Sequence, residues 1–133
     1  MSLPQQITFI TLGAREMSAL RAFYGALGWI ERPGSDDNFA GFDAGTVRLA
    51  LYPLGRLGDE AAPGEREPEI GWNGVTLGVN VASPDAVDSA FQVALAAGAE
   101  RIADPVKREW GGYTGYFADP EGNRWEVAWS PYP

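Results

Sequence analysis

The stretch GGYTGYFADPEGNRWEV, residues 111–127, decides the fold that the sequence predicts. Two short runs rich in aromatic and β-branched residues, Tyr113–Ala118 and Arg124–Trp129, lie on either side of Asp-Pro-Glu-Gly at 119–122. That tetrapeptide is typical of a tight turn, because proline fixes φ, aspartate bonds the backbone of the turn, and glycine accepts a positive φ. The stretch therefore predicts a β-hairpin.

The residues before this hairpin predict a strand, a helix and a second strand. Residues 75–81 and 100–103 have the composition of strands, and Ser83-Pro84 is typical of a helix start, with serine as N-cap. Gly98 predicts the end of the helix. The helix carries one apolar stripe, formed by Val87, Ala90, Phe91, Ala94 and Leu95. The order of elements is βαβββ.

The N-terminal half predicts the same order. A strand at Ile7–Leu12 is followed by a helix that ends at Gly28, and three short apolar stretches follow at 29–32, 38–43 and 46–52. Ala44-Gly45 predicts a tight hairpin between the last two stretches. The helix buries apolar residues at i, i+3, i+4 and i+7, namely Leu20, Phe23, Tyr24 and Leu27. The repeated pattern indicates a duplicated module.

A length of 133 residues supports one domain, 1–133, and its modules span approximately 5–53 and 73–131. Between them, in 54–72, glycine, proline and acidic residues replace the apolar periodicity, so we predict a flexible connector. The fold class is α+β: two curved sheets, each covered by a helix on one face, whose other faces form an open-barrel cleft for a ligand.

Composition excludes several functions. The net charge of −8 repels the phosphate backbone of nucleic acids, so no nucleic-acid partner is expected. The chain has no cysteine and no histidine, which excludes disulfides, thiolate or imidazole metal ligands and a Ser-His-Asp triad. Proton transfer would fall to carboxylates, lysine, tyrosine or hydroxyl groups.

Neither a membrane nor secretion is expected from the sequence. The first six residues lack the basic start and apolar run of a signal peptide, and no window approaches the roughly 18 to 20 apolar residues of a membrane span. We therefore predict a soluble, cytoplasmic protein without a membrane partner.

Two stretches resemble the vicinal oxygen chelate superfamily, which includes glyoxalases, bleomycin-resistance proteins and dioxygenases. RAFYGALGW at 21–29 is similar to the first-helix signature of that superfamily, and residues 111–127 are similar to its last hairpin, above all in small glyoxalase-like members. The resemblance covers nearly the whole chain and implies paired βαβββ modules. It is specific for the fold and not for the reaction, because such a scaffold supports several chemistries.

The resemblance also implies where a metal would bind, because relatives that use one hold it at four inward-facing strand positions, two in each module. Carried over to this chain, these positions are Phe9, Leu49, Thr76 and Glu126. Only Glu126 keeps a ligating side chain, and one carboxylate cannot hold a transition metal in a usual site. We expect no tightly bound metal and no cofactor, which leaves only weakly held Mg²⁺ or Mn²⁺ with several waters.

Glu126 is the residue on which the functional prediction rests. If the family geometry holds, Glu126 faces a partly apolar cleft, where it could act as a proton-transfer base or as an anchor for a cation. The alternative is an inherited residue paired with Arg124 or another internal donor. Strand alternation places Arg124 on the same face as Glu126, so both are candidate ligand-binding residues.

The other candidates are polar or aromatic residues near the predicted cleft. Thr76, Gly78 and Asn80 alternate on one strand face, where a ligand could approach, although Gly78 could equally mark a bulge. Arg48 either binds an anion or protects an edge strand. A stacking wall for a flat ligand is the functional interpretation of Trp110, Tyr113, Tyr116 and Trp125, and core packing is the alternative, favoured for Trp125 and Trp129. The candidate ligand-binding set is Phe9, Leu49, Thr76, Asn80, Trp110, Tyr113, Arg124 and Glu126.

Two functions follow. The first is a metal-independent protein that binds or sequesters a small, partly aromatic and cationic molecule, like antibiotic-sequestering members of the superfamily. The second is a lyase or isomerase related to lactoylglutathione lyase, with Glu126 as catalytic base next to a carbonyl. A homodimer is expected from the resemblance alone.

Overall fold

The structure is a computed structural model that describes residues 2–132. Its fold class is α+β, as predicted, and the chain divides after Pro68 into two compact units, each with its own sheet.

The N-terminal unit is a three-stranded sheet with two helices. Its elements are β1 (Phe9–Ala14), α1 (Met17–Ala26), β2 (Ala40–Ala44), β3 (Val47–Pro53) and α2 (Leu54–Ala61). The strand order is β1-β3-β2, so β3 is central. It pairs in parallel with β1 and antiparallel with β2, and Gly45, at φ +65°, forms the predicted hairpin turn.

One face of this sheet packs against α1. Leu20, Phe23 and Tyr24 of the predicted helical stripe are buried, and the ring of Tyr24 lies 5.9 Å from that of Phe42 on β2. Phe42 is paired with Leu49 on β3, so both side chains lie on the face toward the helix. The opposite face, which carries Phe9, is called the open face of this unit.

One prediction for the N-terminal half, the strand at 29–32, is wrong. Residues 29–32 form no strand, although a single β-bridge joins Glu31 to Phe42. The order of elements in this unit is therefore βαββα, ending with α2. Pro33 has no N–H to continue a ladder, and Gly34 turns the chain at φ +85°. The predicted flexible connector 54–72 begins with helix α2.

The C-terminal unit has the predicted order βαβββ. Its elements are β4 (Thr76–Asn80), α3 (Pro84–Ala96), β5 (Glu100–Lys107), β6 (Tyr113–Ala118) and β7 (Arg124–Trp129), in sheet order β4-β7-β6-β5. The hairpin of β6 and β7 has the bounds that the sequence predicts, whereas β5 runs four residues beyond the prediction and contains register shifts.

Local sequence explains how α3 starts and where it packs. The Ser83 hydroxyl accepts a hydrogen bond from the backbone N–H of Ala86 at 3.1 Å, which satisfies one of the unpaired donors at the helix start. Val87 and Phe91 are buried on the inner side of the helix. Phe117 and Trp125 stack on the same side, with ring centroids 6.3 Å apart, so the predicted core role of Trp125 is confirmed.

The turn between β6 and β7 is held by Asp119, which is buried. Its carboxylate accepts hydrogen bonds from the backbone N–H groups of Glu121 at 2.9 Å and Asn123 at 3.0 Å. Gly122 adopts φ +85°, a conformation that side chains disfavour. The turn fixes which residues of β6 and β7 face each other.

Candidate functional site

Glu126 lies on the face of the C-terminal sheet that α3 does not cover, the open face of this unit. The pairing of strands places it between Gly78 on β4 and Tyr116 on β6. The Tyr116 hydroxyl donates a hydrogen bond to Oε2 of Glu126 at 3.0 Å. The internal donor to Glu126 is therefore this phenol, while the Arg124 guanidinium donates to the carbonyl of Gly122 at 2.9 Å.

Arg108 supports this pair from the other side of Tyr116. Its Nε donates to the Thr114 hydroxyl at 2.7 Å, and its guanidinium carbon lies 5.7 Å from the centre of the Tyr116 ring. Thr114 is buried and alternates with Tyr116 on the open face. The three side chains limit the positions that the phenol can take, and so they orient the carboxylate of Glu126.

The Tyr116 phenol is held in its neutral form. Burial raises the pKa of Tyr116 above its ordinary value, and the hydrogen bond to Glu126 and the negative charge of that carboxylate raise it further. The nearby Arg108 guanidinium opposes these effects. At neutral pH, Tyr116 therefore stays a hydrogen-bond donor beside a carboxylate.

The three small or polar residues predicted on one face of β4 lie beside this pair. Thr76, Gly78 and Asn80 are paired with Arg124, Glu126 and Ala128 of β7, so the predicted alternation is confirmed. A Cβ added to Gly78 would meet only the backbone oxygen of Glu126, at 4.0 Å. The surface next to Glu126 is therefore open to a small molecule.

The predicted aromatic wall does not share one face. The Tyr113 hydroxyl donates to Asp88 of α3 at 2.6 Å, so Tyr113 lies on the helix side with Trp125, opposite Glu126. The predicted wall of four rings on one face is therefore wrong, and the predicted ligand-binding role of Tyr113 would have to lie on the face opposite Glu126. Tyr116 alone of these three strand residues faces the carboxylate.

Trp110 lies in the loop between β5 and β6, as predicted, and about half of its surface is exposed. A Cβ added to Gly112 would stand 2.0 Å from its ring, so the indole rests on the backbone of this glycine. The structure therefore places Trp110 on the surface of this loop.

In the N-terminal unit, Phe9 lies on the open face, but Leu49 does not. Leu49 is buried on the face toward α1, so its assignment to a ligand-facing position is wrong. Strand register shows the reason. Phe9 is paired with Arg48, and two residues further on Thr11 is paired with Ala50. In the C-terminal unit Thr76 is paired with Arg124, and Glu126 lies two residues after Arg124. The residue two positions after Arg48 is Ala50, so Ala50 is the counterpart of Glu126.

The prediction that Arg48 protects an edge strand is also wrong, because β3 is the central strand of its sheet. Arg48 and Phe9 instead line a cavity of about 400 Å³ on the open face of the N-terminal unit. Simple counting from the Ala44-Gly45 hairpin would have identified this face, because it pairs Arg48 with Asp43 and Leu49 with Phe42.

The residues at the predicted metal positions do not fit a transition metal. Phenyl and alkyl groups at Phe9, Leu49 or Ala50 have no donor atom, and the neutral hydroxyl of Thr76 is a poor ligand. Across residues 2–132, no three Asp, Glu, His or Cys side chains come together as potential ligands. The pair of Glu126 and Tyr116 can bind an organic cation or move a proton without a metal ion.

Within the described part of the chain, no helix has the length and apolar character needed to cross a membrane. Each unit combines a strand–helix–strand order with a sheet that packs against a helix, which defines an α+β protein of the glyoxalase-fold class.

Comparison with known proteins gives the family. The family model described as "Glyoxalase/Bleomycin resistance protein/Dioxygenase superfamily" matches residues 6–127, and the chain belongs to this family. The predicted resemblance is thus confirmed. The comparison with curated proteins found no match.

Solved structures with the same fold include three informative neighbours. A glyoxalase-related enzyme from Fulvimarina pelagi is 27% identical, with a TM-score of 0.85, over 96% of this chain and 89% of that chain. A glyoxalase/bleomycin resistance protein/dioxygenase from Nocardioides is 26% identical, with a TM-score of 0.78, over 97% and 85%. A lactoylglutathione lyase from Agrobacterium tumefaciens, at 22% identity and a TM-score of 0.72 over 97% and 96%, shares the fold.

Proposed function

We propose that this protein binds or sequesters a small, partly aromatic and cationic molecule without a transition metal. The observation that carries the proposal is the carboxylate of Glu126, oriented by Tyr116 on an open sheet face, with a glycine beside it. A fixed carboxylate next to an aromatic ring attracts an organic cation by charge and by the ring's negative face.

Polar side chains around Glu126 add to this proposal. Thr76 and Asn80 are exposed on the edge strand β4, on the same face, and Arg124 closes the row on β7. Small-molecule sites combine an apolar surface with a few placed polar groups of this kind. Trp110, in the same unit as Glu126, remains a proposed contact because its large ring is exposed.

Thermal shift with benzamidinium tests the cation site. We expect the wild-type protein to be stabilised by saturating benzamidinium and the Glu126→Gln variant to lose that stabilisation, because the variant keeps the shape of the side chain without its charge. Glu100→Gln is the matched control, since Glu100 is an exposed carboxylate on β5. Equal stabilisation of wild type and Glu126→Gln would contradict the role of Glu126.

Independence from a transition metal needs its own measurement. Protein purified without chelator should contain far less than one equivalent of Zn, Ni, Fe or Mn by elemental analysis, because Glu126 is the one carboxylate among the predicted positions. Benzamidinium binding should be unchanged after dialysis against EDTA. Stoichiometric metal that supports binding would overturn this part of the proposal.

A second candidate is a lyase or isomerase in which Glu126 removes a proton from carbon next to a carbonyl. The neutral Tyr116 phenol at 3.0 Å favours it, because a phenol and a carboxylate in contact can act as acid and base. The Agrobacterium tumefaciens neighbour is a lactoylglutathione lyase, so methylglyoxal with glutathione is the first substrate to assay. Turnover that Glu126→Gln abolishes would favour the enzyme over the binding protein.

We further propose that the protein is a cytoplasmic homodimer. The absence of cysteine suits a reducing compartment, and β1 and β4 each pair with a neighbouring strand on one side within their sheets. Unpaired strand edges that carry apolar residues such as Val79 are suited to cover by another chain.

A further inference from the structure

A cavity of about 400 Å³ lies on the open face of the N-terminal unit, whereas Glu126 belongs to the C-terminal unit. Phe9, Phe39 and Ala50 give it apolar walls, and Thr11, Asp43 and Arg48 give it polar ones. Its volume lies in the range of small-molecule sites, roughly 300 to 1,000 Å³. It is therefore large enough for a ligand with one aromatic ring.

The charges at this cavity favour an anion. Arg32 Nη1 binds both oxygens of Asp43, at 3.0 and 2.9 Å, while Nε of Arg48 approaches the same carboxylate only to 3.7 Å, beyond hydrogen-bond distance. Two guanidinium groups thus face one carboxylate. The excess positive charge lies on Arg48, whose side chain is 44% exposed toward the cavity side of the sheet.

Gly41 sets the position of both arginine side chains. A Cβ at this residue would lie 3.3 Å from Cδ of Arg32 and 3.6 Å from Cδ of Arg48. Gly41 is buried on the open face, between the two arginine stems. The missing side chain therefore lets the two stems lie close to the sheet, so their guanidinium groups gather around Asp43.

The aromatic walls define the rest of the ligand. Phe9 and Phe39 are 63% and 48% exposed, which is unusual for phenylalanine and leaves ring surface for a ligand to cover. Phe39 is held by an edge contact with Tyr52, with ring centroids 6.2 Å apart. A flat ring between such walls would place a substituent near the guanidinium of Arg48.

We propose that this cavity, called the Arg48 pocket, binds a small aromatic carboxylate, with the two carboxylate oxygens on the guanidinium of Arg48. The planar fork of arginine matches a carboxylate in two parallel hydrogen bonds. The pocket adds an anion-binding site to the cation site at Glu126, and it rests on the proposed function only in that the chain binds small molecules.

Calorimetric titration of the full-length protein with benzoate tests the pocket, with benzamide as its neutral isostere. Wild type should bind benzoate, and Arg48→Gln should weaken binding about tenfold or more, because two charge-assisted hydrogen bonds are lost. Asp43→Asn should strengthen binding roughly threefold, because Arg32 and Arg48 then lack their competing carboxylate. Backbone amide shifts in NMR spectra should change around Arg48.

Arg101→Gln is the matched control, because Arg101 is an arginine of similar exposure in the other unit. The pocket is refuted if benzoate fails to bind at millimolar concentration, if benzamide binds as well as benzoate, or if Arg101→Gln weakens binding as much as Arg48→Gln. Unchanged binding by Asp43→Asn refutes the charge argument.

The benzamidinium and benzoate titrations test the two proposed sites independently. Benzamidinium binding that Glu126→Gln removes, without benzoate binding, refutes the Arg48 pocket and leaves the proposed function intact. Benzoate binding that Arg48→Gln removes, without benzamidinium binding, supports the pocket and refutes the cation site.

Discussion

Tyr116 is the residue whose protonation links the candidate site to stability. Its pKa is raised above 10.0 in the folded protein, so the folded state holds this proton more tightly than the unfolded chain does. Folding stability from this group is therefore complete below about pH 10 and is lost as the pH rises through the higher folded pKa. The raised pKa of Tyr113, caused first by its hydrogen bond to Asp88, acts in the same direction.

We predict that Tyr116→Phe reduces the alkaline loss of stability. At about pH 8 the variant should be less stable by about 1 kcal/mol or less, because a half-buried hydrogen bond is removed. Between about pH 8 and pH 11 it should lose less stability than wild type, because one titrating phenol is gone. Urea unfolding at both pH values measures this difference. Tyr132→Phe, which changes an exposed ring, should follow wild type.

Gly78 gives a second prediction at the residue scale. Gly78→Val should fold with unchanged or slightly higher stability, because a Cβ there meets one atom at 4.0 Å and glycine disfavours strands. Benzamidinium binding should fall, since the new side chain fills the space beside Glu126. Gly115→Ala is the contrast, because its Cβ would lie 2.8 Å from Pro105 and should destabilise the protein. Unchanged benzamidinium binding by Gly78→Val would show that the space beside Gly78 is not part of the ligand site.

The residues of the C-terminal site were predictable because strand alternation depends only on counting. Thr76 and Asn80 share one face of β4, and Arg124 and Glu126 share one face of β7, as the period of two requires. The pairing of β4 with β7 brings these two faces together. The hairpin comparison that points to Leu49 aligns turns of different length, and a shift of one residue moves a side chain to the other face. The pairing of Tyr116 with Glu126 could be predicted, because the predicted strand ends 118 and 124 face each other across the turn. Two residues further from the turn on each strand, 116 faces 126.

At the scale of elements, the start of α3 depends on one side chain. Ser83→Ala should lower the free energy of unfolding by about 1 kcal/mol, because the backbone N–H of Ala86 loses its acceptor. Chemical denaturation followed by circular dichroism measures the change. Ser89→Ala, at an exposed position inside the same helix, should be neutral or slightly stabilising, since alanine has the higher helix propensity. If Ser89→Ala lowered the free energy of unfolding as much as Ser83→Ala, the N-cap hydrogen bond would not be the cause of the loss.

The helices that the sequence predicted carry a cap or a long apolar stripe, and the one it missed carries neither. Helix α2 has eight residues, of which Gly55 and Gly58 have low helix propensity, and Pro53 precedes it without a side-chain cap. Its position is explained by packing: a Cβ at Gly13 of β1 would lie 2.5 Å from Leu54. Tertiary contacts therefore decide this helix, and propensity alone could not predict it.

At the scale of the whole molecule, the strand edges raise the question of association. Strand β4 pairs with β7 along one side, and Val79 on β4 is 36% exposed. Apolar edge strands favour pairing with another chain unless charge or proline protects them. Proteins of known structure in this family share the fold with this chain, but the fold itself does not determine the number of copies.

We predict a homodimer, with a mass by light scattering of twice 14.3 kDa at micromolar concentration. Val79→Lys should shift the equilibrium toward the monomer, because a lysine on an edge strand must be desolvated when the edge is covered. Val93→Lys on α3 is the matched control, since Val93 is 48% exposed on a helix that already packs on its own sheet, and it should leave the mass unchanged. A monomeric wild-type protein would contradict the homodimer. A Val79→Lys variant that remains dimeric would show that β4 is not in the interface. Because the Glu126 site lies on the same sheet as β4, benzamidinium titration of the monomeric variant would also reveal whether association and ligand binding are coupled.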